Sequence, residues 1–278
     1  MGRSLEMATM AEPQKMTLNG YVGFDSITRQ IEKKLLKRGF QFNVIVVGQT
    51  GLGKSTLINT IFAAHLIDSK GRTSAEEPFR QTTEIQTVSH LIEENGIRLR
   101  LNIVDTPGYG DQVNNENCLK PIDIVVLKKL SEVVNVVPVI AKSDSLTMEE
   151  RVAFKRRIKS ELAFHNIKLY PYDSDELDEH ERALNDSIKQ MIPFAIVGSE
   201  KNVVIDGKSV RGRRNRWGVI NVENEQHCEF VHLRDFLTRT HLQDLIETTA
   251  QIHYEAFRSK QNGIFANLVQ VDKFFLKK

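Results

Sequence analysis

Between Phe42 and Leu66 the chain passes from a continuous apolar, β-branched run, FNVIVV, through a glycine-rich loop into a helical pattern. An uninterrupted apolar strand is expected where a parallel sheet is covered on both faces. The loop reads Gly48, Gln49, Thr50, Gly51, Leu52, Gly53, Lys54, Ser55 and Thr56, which fits G-x-x-x-x-G-K-[ST]. Glycines in such a loop let backbone N–H groups turn toward phosphate oxygens, and the following helix presents its positive end to them. Lys54 is placed to reach the β- and γ-phosphates, and the Ser55 hydroxyl to occupy a position on Mg²⁺. A strand, a phosphate loop and a helix in this order predict an α/β fold.

The rest of the chain carries the elements such a fold needs. The 278 residues include 40% apolar ones, enough for a real core, which excludes disorder of the whole chain. The 38 Lys and Arg against 36 Asp and Glu give no global attraction to nucleic acid. Cys118 and Cys228 are the only cysteines, so neither a disulfide framework nor a cysteine zinc site is expected, and a reducing cytosol fits best. The N-terminal residues lack the apolar core of a signal peptide, Glu6 breaks the myristoylation pattern, and no run reaches the ~18 apolar residues of a membrane span. TEIQTVSHLIEE and IRLRLNIVD alternate about Asn95-Gly96, which predicts an antiparallel hairpin. Further on, IDIVVLKKLSEVV and MEERVAFKRRIKSELAFHN read as helices, as does the second half of the acidic DSDELDEHERALNDSIKQM. NVVPVIA and IPFAIVGS read as buried strands, VVIDGKSV as a hairpin about Asp206-Gly207, RWGVINVEN as a strand, and Glu229 to Lys260 as one or two helices.

Two more loops follow buried strands. Asp105-Thr-Pro-Gly108 suits a carboxylate that holds Mg²⁺ through water and a glycine whose N–H meets the γ-phosphate. Ala141-Lys142-Ser143-Asp144 suits reading of a base: a carboxylate accepts from the N1–H and 2-amino donors of guanine, a pair adenine lacks, while the Lys142 stem packs on the ring. Gly198, in AIVGS at the end of the last buried strand, completes the pocket with backbone contacts.

With these motifs in place the chain resembles a septin. The resemblance lies in GQTGLGKSTLINT, DTPGYGDQVNNENC, PVIAKSDSLT, MIPFAIVGS, VRGRRNRWGVINVEN and HCEFVHLRDFLTRTHLQDLIETT, and it covers most of residues 21 to 261. The YVGFDSITRQIEKKLLKRGFQFN start, with no C-terminal coiled coil, looks most like the fungal subclass without that tail. The resemblance implies a Ras-like P-loop GTPase with a doubly wound, mostly parallel sheet and a septin-specific C-terminal α+β element. It implies GTP or GDP with Mg²⁺, slow hydrolysis, and hetero-oligomers with other septin subunits that form filaments in a septin ring at division sites, peripheral to the plasma membrane. By position, Thr82 matches the switch threonine that places Mg²⁺ and the attacking water, so Thr82 and Lys54 are the implied catalytic residues. Arg213 matches the arginine that stacks on guanine, and Trp217 the tryptophan of the interface formed across the nucleotide. Tyr109 stands where Ras-like enzymes carry a water-orienting glutamine, so fast intrinsic hydrolysis by that route is not expected.

Ile27, Ile31, Leu35 and Leu36 fall at helical spacing among Arg29, Lys33, Lys34, Lys37 and Arg38. This basic amphipathic helix could attract anionic lipid at about 1 kcal/mol per cation, and the family resemblance points to phosphoinositides. The expected organisation is an N-terminal arm over 1–20, the basic helix over 21–40, a shortened GTPase domain over 41–215, the septin-specific element over 216–261 and an atypical tail over 262–278. "Shortened" refers to the stretch after DTPG. A P-loop GTPase crosses twice between that strand and the base-reading strand, yet residues 105 to 135 suffice for one crossover. NNENC runs straight into LKPID, so an inner strand and a helix are expected to be missing between Cys118 and Leu119, leaving a destabilised sheet.

Overall fold

A computed structural model of the chain describes residues 20–67, 84–109, 119–174 and 177–261. The helices are α1 (Ser26–Arg38), α2 (Lys54–Ile61), α3 (Pro121–Ser131), α4 (Met148–Phe164), α5 (Glu179–Met191), α6 (Phe230–Asp235) and α7 (Leu242–Thr248). The strands are β1 (Phe40–Val46), β2 (Gln86–Glu94), β3 (Ile97–Asp105), β4 (Val139–Ile140), β5 (Phe194–Ala195), β6 (Asn202–Ile205), β7 (Lys208–Asn215) and β8 (Gly218–Asn221).

The strands form three separate sheets among the described residues. β1 runs parallel to β3, with Val44 opposite Ile103, and β3 pairs antiparallel with β2 across the expected Asn95-Gly96 turn, where both residues have positive φ. β4 and β5 form a parallel pair. β6, β7 and β8 form an antiparallel meander, with the expected turn at Asp206-Gly207, and this meander crosses position 215/216. No ladder joins β1 to β4, so the β1 edge away from β3 carries no strand among the described residues. Between β3 and β4 the described residues carry α3 alone, and residues 110–118 lie outside them.

Two readings of the sequence are corrected here, and both follow from how the described strands pair. FNVIVV is not covered on both faces. Phe42, Val44 and Val46 join a core with Leu101, Ile103, α2 residues Ile58 and Ile61, and Leu245 of α7, whereas Gln41, Asn43 and Ile45 face outward, Ile45 at 40% exposure. A polar ladder lines the outer face: Gln41 Nε2 and Asn102 Nδ2 donate to Asn43 Oδ1 at 3.3 and 2.7 Å, and Ser89 Oγ donates to Asn102 Oδ1 at 2.7 Å. Secondly, NVVPVIA and IPFAIVGS contribute two paired residues each. A strand with one ladder partner has half the backbone pairing that an inner strand enjoys.

The remaining elements form where local chemistry directs. α4 and α5 begin with reciprocal capping boxes, Thr147 with Glu150 and Asp178 with Glu181. A second core joins Ile158 and Leu162 of α4 to Ile140, Ile167 and Ala195, with Ile124 and Leu127 of α3 against it. Glu229, just before α6, accepts from Lys155 Nζ at 2.6 Å and from Ala195 N at 2.7 Å, which fixes the C-terminal helices to α4 and β5. Phe230, Leu233 and Phe236 are buried in the first core with Tyr170 and Phe194. The expected α1 forms but buries none of its residues. No described helix is long and apolar enough to cross a membrane.

Two buried histidines hold this C-terminal layer. His241 lies between Thr240 Oγ1 at 2.7 Å and Asn185 Oδ1 at 3.0 Å, and His253 Nε2 lies between Asn135 Oδ1 at 3.1 Å and Tyr172 Oη at 3.2 Å. Burial pushes both below the ordinary value of 6.5; Asp244 opposes the shift at His241 and the Glu132 backbone at His253. The unfolded chain therefore binds more protons than the folded one below 6.5, and their contribution to stability is full above that pH and lost as pH falls below it. Urea midpoints are expected to fall between pH 7.5 and pH 5.5, with a shallower fall in His241→Gln; identical slopes would exclude His241 as a source.

Candidate functional site

The loop after β1 folds as its glycines demand. Gly51 and Gly53 sit at φ 78° and 89°, the left-handed region that side chains resist. Gly53 thereby precedes α2, and its carbonyl accepts from Leu57 N at 2.9 Å. Lys54 Nζ donates to the carbonyls of Gly48 and Gln49, both at 3.2 Å. Burial lowers the Lys54 pKa and the nearby Asp105 opposes the shift. At the end of β3, Asp105 is buried, and Ser55 Oγ donates to its Oδ2 at 2.9 Å. The structure thus brings together the hydroxyl and carboxylate that the sequence assigns to Mg²⁺. Both are hard oxygen donors, which suits that ion. Gly198 backs onto the same helix: a Cβ there would lie 3.4 Å from Thr60 Oγ1 and 3.5 Å from Thr56 Cγ2.

The second loop closes against the first. Thr106 Oγ1 donates to Val46 O at 2.9 Å, Tyr109 N donates to Gly48 O at 3.3 Å, and Gln49 and Tyr109 form a parallel bridge. A Cβ on Gly108 would stand 2.3 Å from Thr50 Cα, so only glycine permits this approach. Sequence reasoning missed Asp123, which is buried in the first turn of α3. It accepts from Gln49 Nε2 at 3.1 Å and Lys120 N at 2.9 Å. Burial, and after it the bond from the Tyr109 hydroxyl to Asp123, raises that phenol well above its ordinary 10. A local signal existed, since Pro121 followed by an acidic residue is a helix start, but the contact with the phosphate loop is non-local.

On the base side, Lys142 adopts φ 53° and leads into a single 3₁₀ turn, Ser143–Ser145. Arg151 braces this turn, its guanidinium donating to Ser143 O at 3.4 Å and to His227 O at 3.1 Å. The Asp144 carboxylate is gripped by Arg213, through Nε at 2.9 Å and through Nη2, and Asn215 Nδ2 donates to it at 3.4 Å. Trp217 stands at the tip of the β7–β8 hairpin, 80% exposed. Arg29, Lys33, Lys34, Lys37 and Arg38 are exposed on α1. Thr82, Cys118, residues 1–19 of the N-terminal arm and the 262–278 tail lie outside the described residues.

A phosphate loop between a parallel strand and a helix, with an acidic loop at the end of the neighbouring strand, defines a P-loop GTPase fold. The fold is shared with the septin GTPase domain from Chlamydomonas reinhardtii, at a TM-score of 0.55 and 23% identity over 80% of this chain and 99% of that one. A sequence model described as Septin matches residues 38–122 and 117–268. The chain is 55% identical to septin homolog spn2 of Schizosaccharomyces pombe, covering 91% of this chain and 90% of that protein. It is 52% identical to cell division control protein 10 of Candida albicans, covering 91% and 82%. The chain belongs to the septin family.

The comparisons also bear on the gap. The family match breaks into two segments that meet at residues 117–122, where the missing strand and helix are expected. The spn2 alignment spans 298 positions, more than the 278 residues of this chain; 91% of the chain is about 253 residues, so about 45 positions face none of them. The match extends to residue 268, into the segment 262–278 expected as an atypical tail.

Proposed function

We propose that this chain is a septin subunit that binds GTP or GDP with Mg²⁺ and assembles with other septin subunits into filaments in the septin ring at division sites, peripheral to the membrane. The observation that carries the reading is the meeting of Lys54, Ser55 and Asp105 at one end of the β1–β3 pair. Bound there, Mg²⁺ would be held by Ser55, by Asp105 through water and by Thr82, and would neutralise charge on the phosphate oxygens. Lys54 exchanges its two carbonyl bonds for phosphate oxygens, and the N–H groups around Gly51 and Gly53 cradle the chain of phosphates. Asp144 selects guanine by accepting from its N1–H and 2-amino group, with Lys142 and Arg213 on the ring and Gly198 behind it. Without a glutamine at Tyr109, hydrolysis is slow and depends on Thr82. The exposed cations of α1 suit phosphoinositide headgroups, and the exposed Trp217 suits an interface with a second subunit.

A second reading is a structural or phosphoinositide-binding septin unable to hold nucleotide. Two observations favour it: Gly108 abuts Thr50, so a γ-phosphate has to part the two loops, and among the described residues no strand pairs with β1 on the edge away from β3. Nucleotide released by acid from purified protein separates the two. Bound GDP, with GTP turnover abolished by Thr82→Ala, supports the first reading. Protein that is empty and takes up no GTP supports the second.

A further inference from the structure

Asp123 touches both of the loops that would face a terminal phosphate. Its Oδ2 accepts from Gln49 Nε2 at 3.1 Å, and the Tyr109 hydroxyl donates to the same carboxylate. Gln49 is the second residue of the phosphate loop, and Tyr109 follows Gly108 in the loop after β3. The two residues also lie side by side as a parallel bridge, with Tyr109 N donating to Gly48 O at 3.3 Å. Asp123 is itself held in place: it is buried in the first turn of α3, and its Oδ2 accepts from Lys120 N at 2.9 Å. One carboxylate on a helix therefore pins the two loops to each other.

The space left by the pinned loops decides which nucleotide fits. The N–H groups of a phosphate loop cradle the α- and β-phosphates, whereas a γ-phosphate lies further out, toward the loop that carries Gly108. Backbone fills that outer place: a Cβ on Gly108 would stand 2.3 Å from Thr50 Cα and 2.5 Å from Thr50 N. A diphosphate ends before it. A triphosphate requires the Gly108 loop to move away, and the bonds from Gln49 and Tyr109 to Asp123 resist that movement. Bonds to an ionised carboxylate are the stronger kind, so the parted form is rare. A ligand that fits only the rare form binds more weakly in proportion to that rarity.

We propose that Asp123 is a clasp that makes the site select a guanosine diphosphate over the triphosphate, by holding Gln49 and Tyr109 together across the place of the γ-phosphate. Asp123 is a positioning residue, since it acts on the nucleotide through those two side chains. The inference rests on the nucleotide reading given above and adds which form the empty protein takes up.

The full chain, stripped of nucleotide, is dialysed against labelled GDP and against the non-hydrolysable β,γ-imido analogue of GTP, each with Mg²⁺. Wild type is expected to bind GDP at least about tenfold more tightly than the analogue. Two variants open the clasp: Asp123→Ala, and Tyr109→Phe, which removes only the hydroxyl and leaves the start of α3 intact. Each is expected to gain about tenfold or more in affinity for the analogue, while GDP affinity changes by less than about threefold. Tyr109→Phe serves if Asp123→Ala does not fold. A merely structural role for Asp123 would weaken both nucleotides together, and that result overturns the clasp. Equal binding of GDP and the analogue by wild type also overturns it, and leaves the nucleotide reading intact. If neither is taken up, the nucleotide reading fails and the selection fails with it. The clasp is checked apart from nucleotide by hydrogen exchange at the backbone amide of residue 109 in empty protein. Tyr109→Phe is expected to speed that exchange about tenfold, and an unchanged rate excludes the clasp whether or not nucleotide binds.

Discussion

Inserting the spn2 segment that corresponds to the expected missing strand and helix between Cys118 and Leu119 is expected to raise the thermal midpoint of this chain by about 10 °C or more. The reason lies in β1, whose seven residues pair with β3 on one edge and with no strand among the described residues on the other. Roughly half of its N–H and C=O groups point to that second edge. Each group left both buried and unpaired costs about 1–3 kcal/mol, so even three of them cost roughly 3–9 kcal/mol, a large part of the ~5–15 kcal/mol that holds a domain together. At ~2–4 °C per kcal/mol for a chain of this size, an effect of 10 °C is at the modest end. The inserted strand would also bridge β1 to β4 and lengthen the two-residue β4–β5 pair, and the inserted helix would cover Ile45. Far-UV circular dichroism through a thermal ramp reads the result. An unchanged midpoint in a chain whose secondary-structure signal has risen would mean that the β1 edge already has its partners.

Lys54→Ala is expected to weaken GDP binding about 100- to 1000-fold. In the structure the ammonium is half-buried and makes two bonds to loop carbonyls. Moved to phosphate oxygens, two charge-assisted bonds are each worth about 1.5–3 kcal/mol, and ~3–4 kcal/mol in total is two to three powers of ten in affinity. The carbonyl bonds lost in the empty protein are easily replaced by water at a loop surface, so its melting midpoint should move little. Fluorescent GDP titrated into both proteins at fixed Mg²⁺ measures the ratio. A loss under about tenfold, on the order of 1.4 kcal/mol, would show that Lys54 stays on its carbonyls and does not bind phosphate.

Much of the fold is legible because its signals are local. Asn95-Gly96 and Asp206-Gly207 specify hairpins through the positive φ that only a few residues tolerate, and both hairpins form. α1 and α4 follow from apolar spacing and, in α4, from Thr147 and Glu150. The three loops at 48–56, 105–108 and 141–144 likewise stand out as short motifs, and the structure brings Ser55 to Asp105 and Arg213 to Asp144. Asp123 and Asn215 escape such reading. Asp123 looks like a helix-start carboxylate until the fold sets it against Gln49 and Tyr109, 74 residues away from Gln49. Asn215 looks like a turn residue until its amide meets Asp144 across 71 residues.

The sequence by itself determined the glycine-rich loop, the hairpins and the basic helix, since each depends on residue types at short spacing, and the count of crossovers set against the septin resemblance gave the expected shortfall of a strand and a helix. Only the tertiary structure decided which faces of the first strand are covered. FNVIVV has the composition of a strand buried on both faces, but burial is conferred by neighbours. Among the described residues no strand pairs with one edge and no helix covers Gln41, Asn43 and Ile45, so the same residues form the exposed margin of a three-stranded sheet.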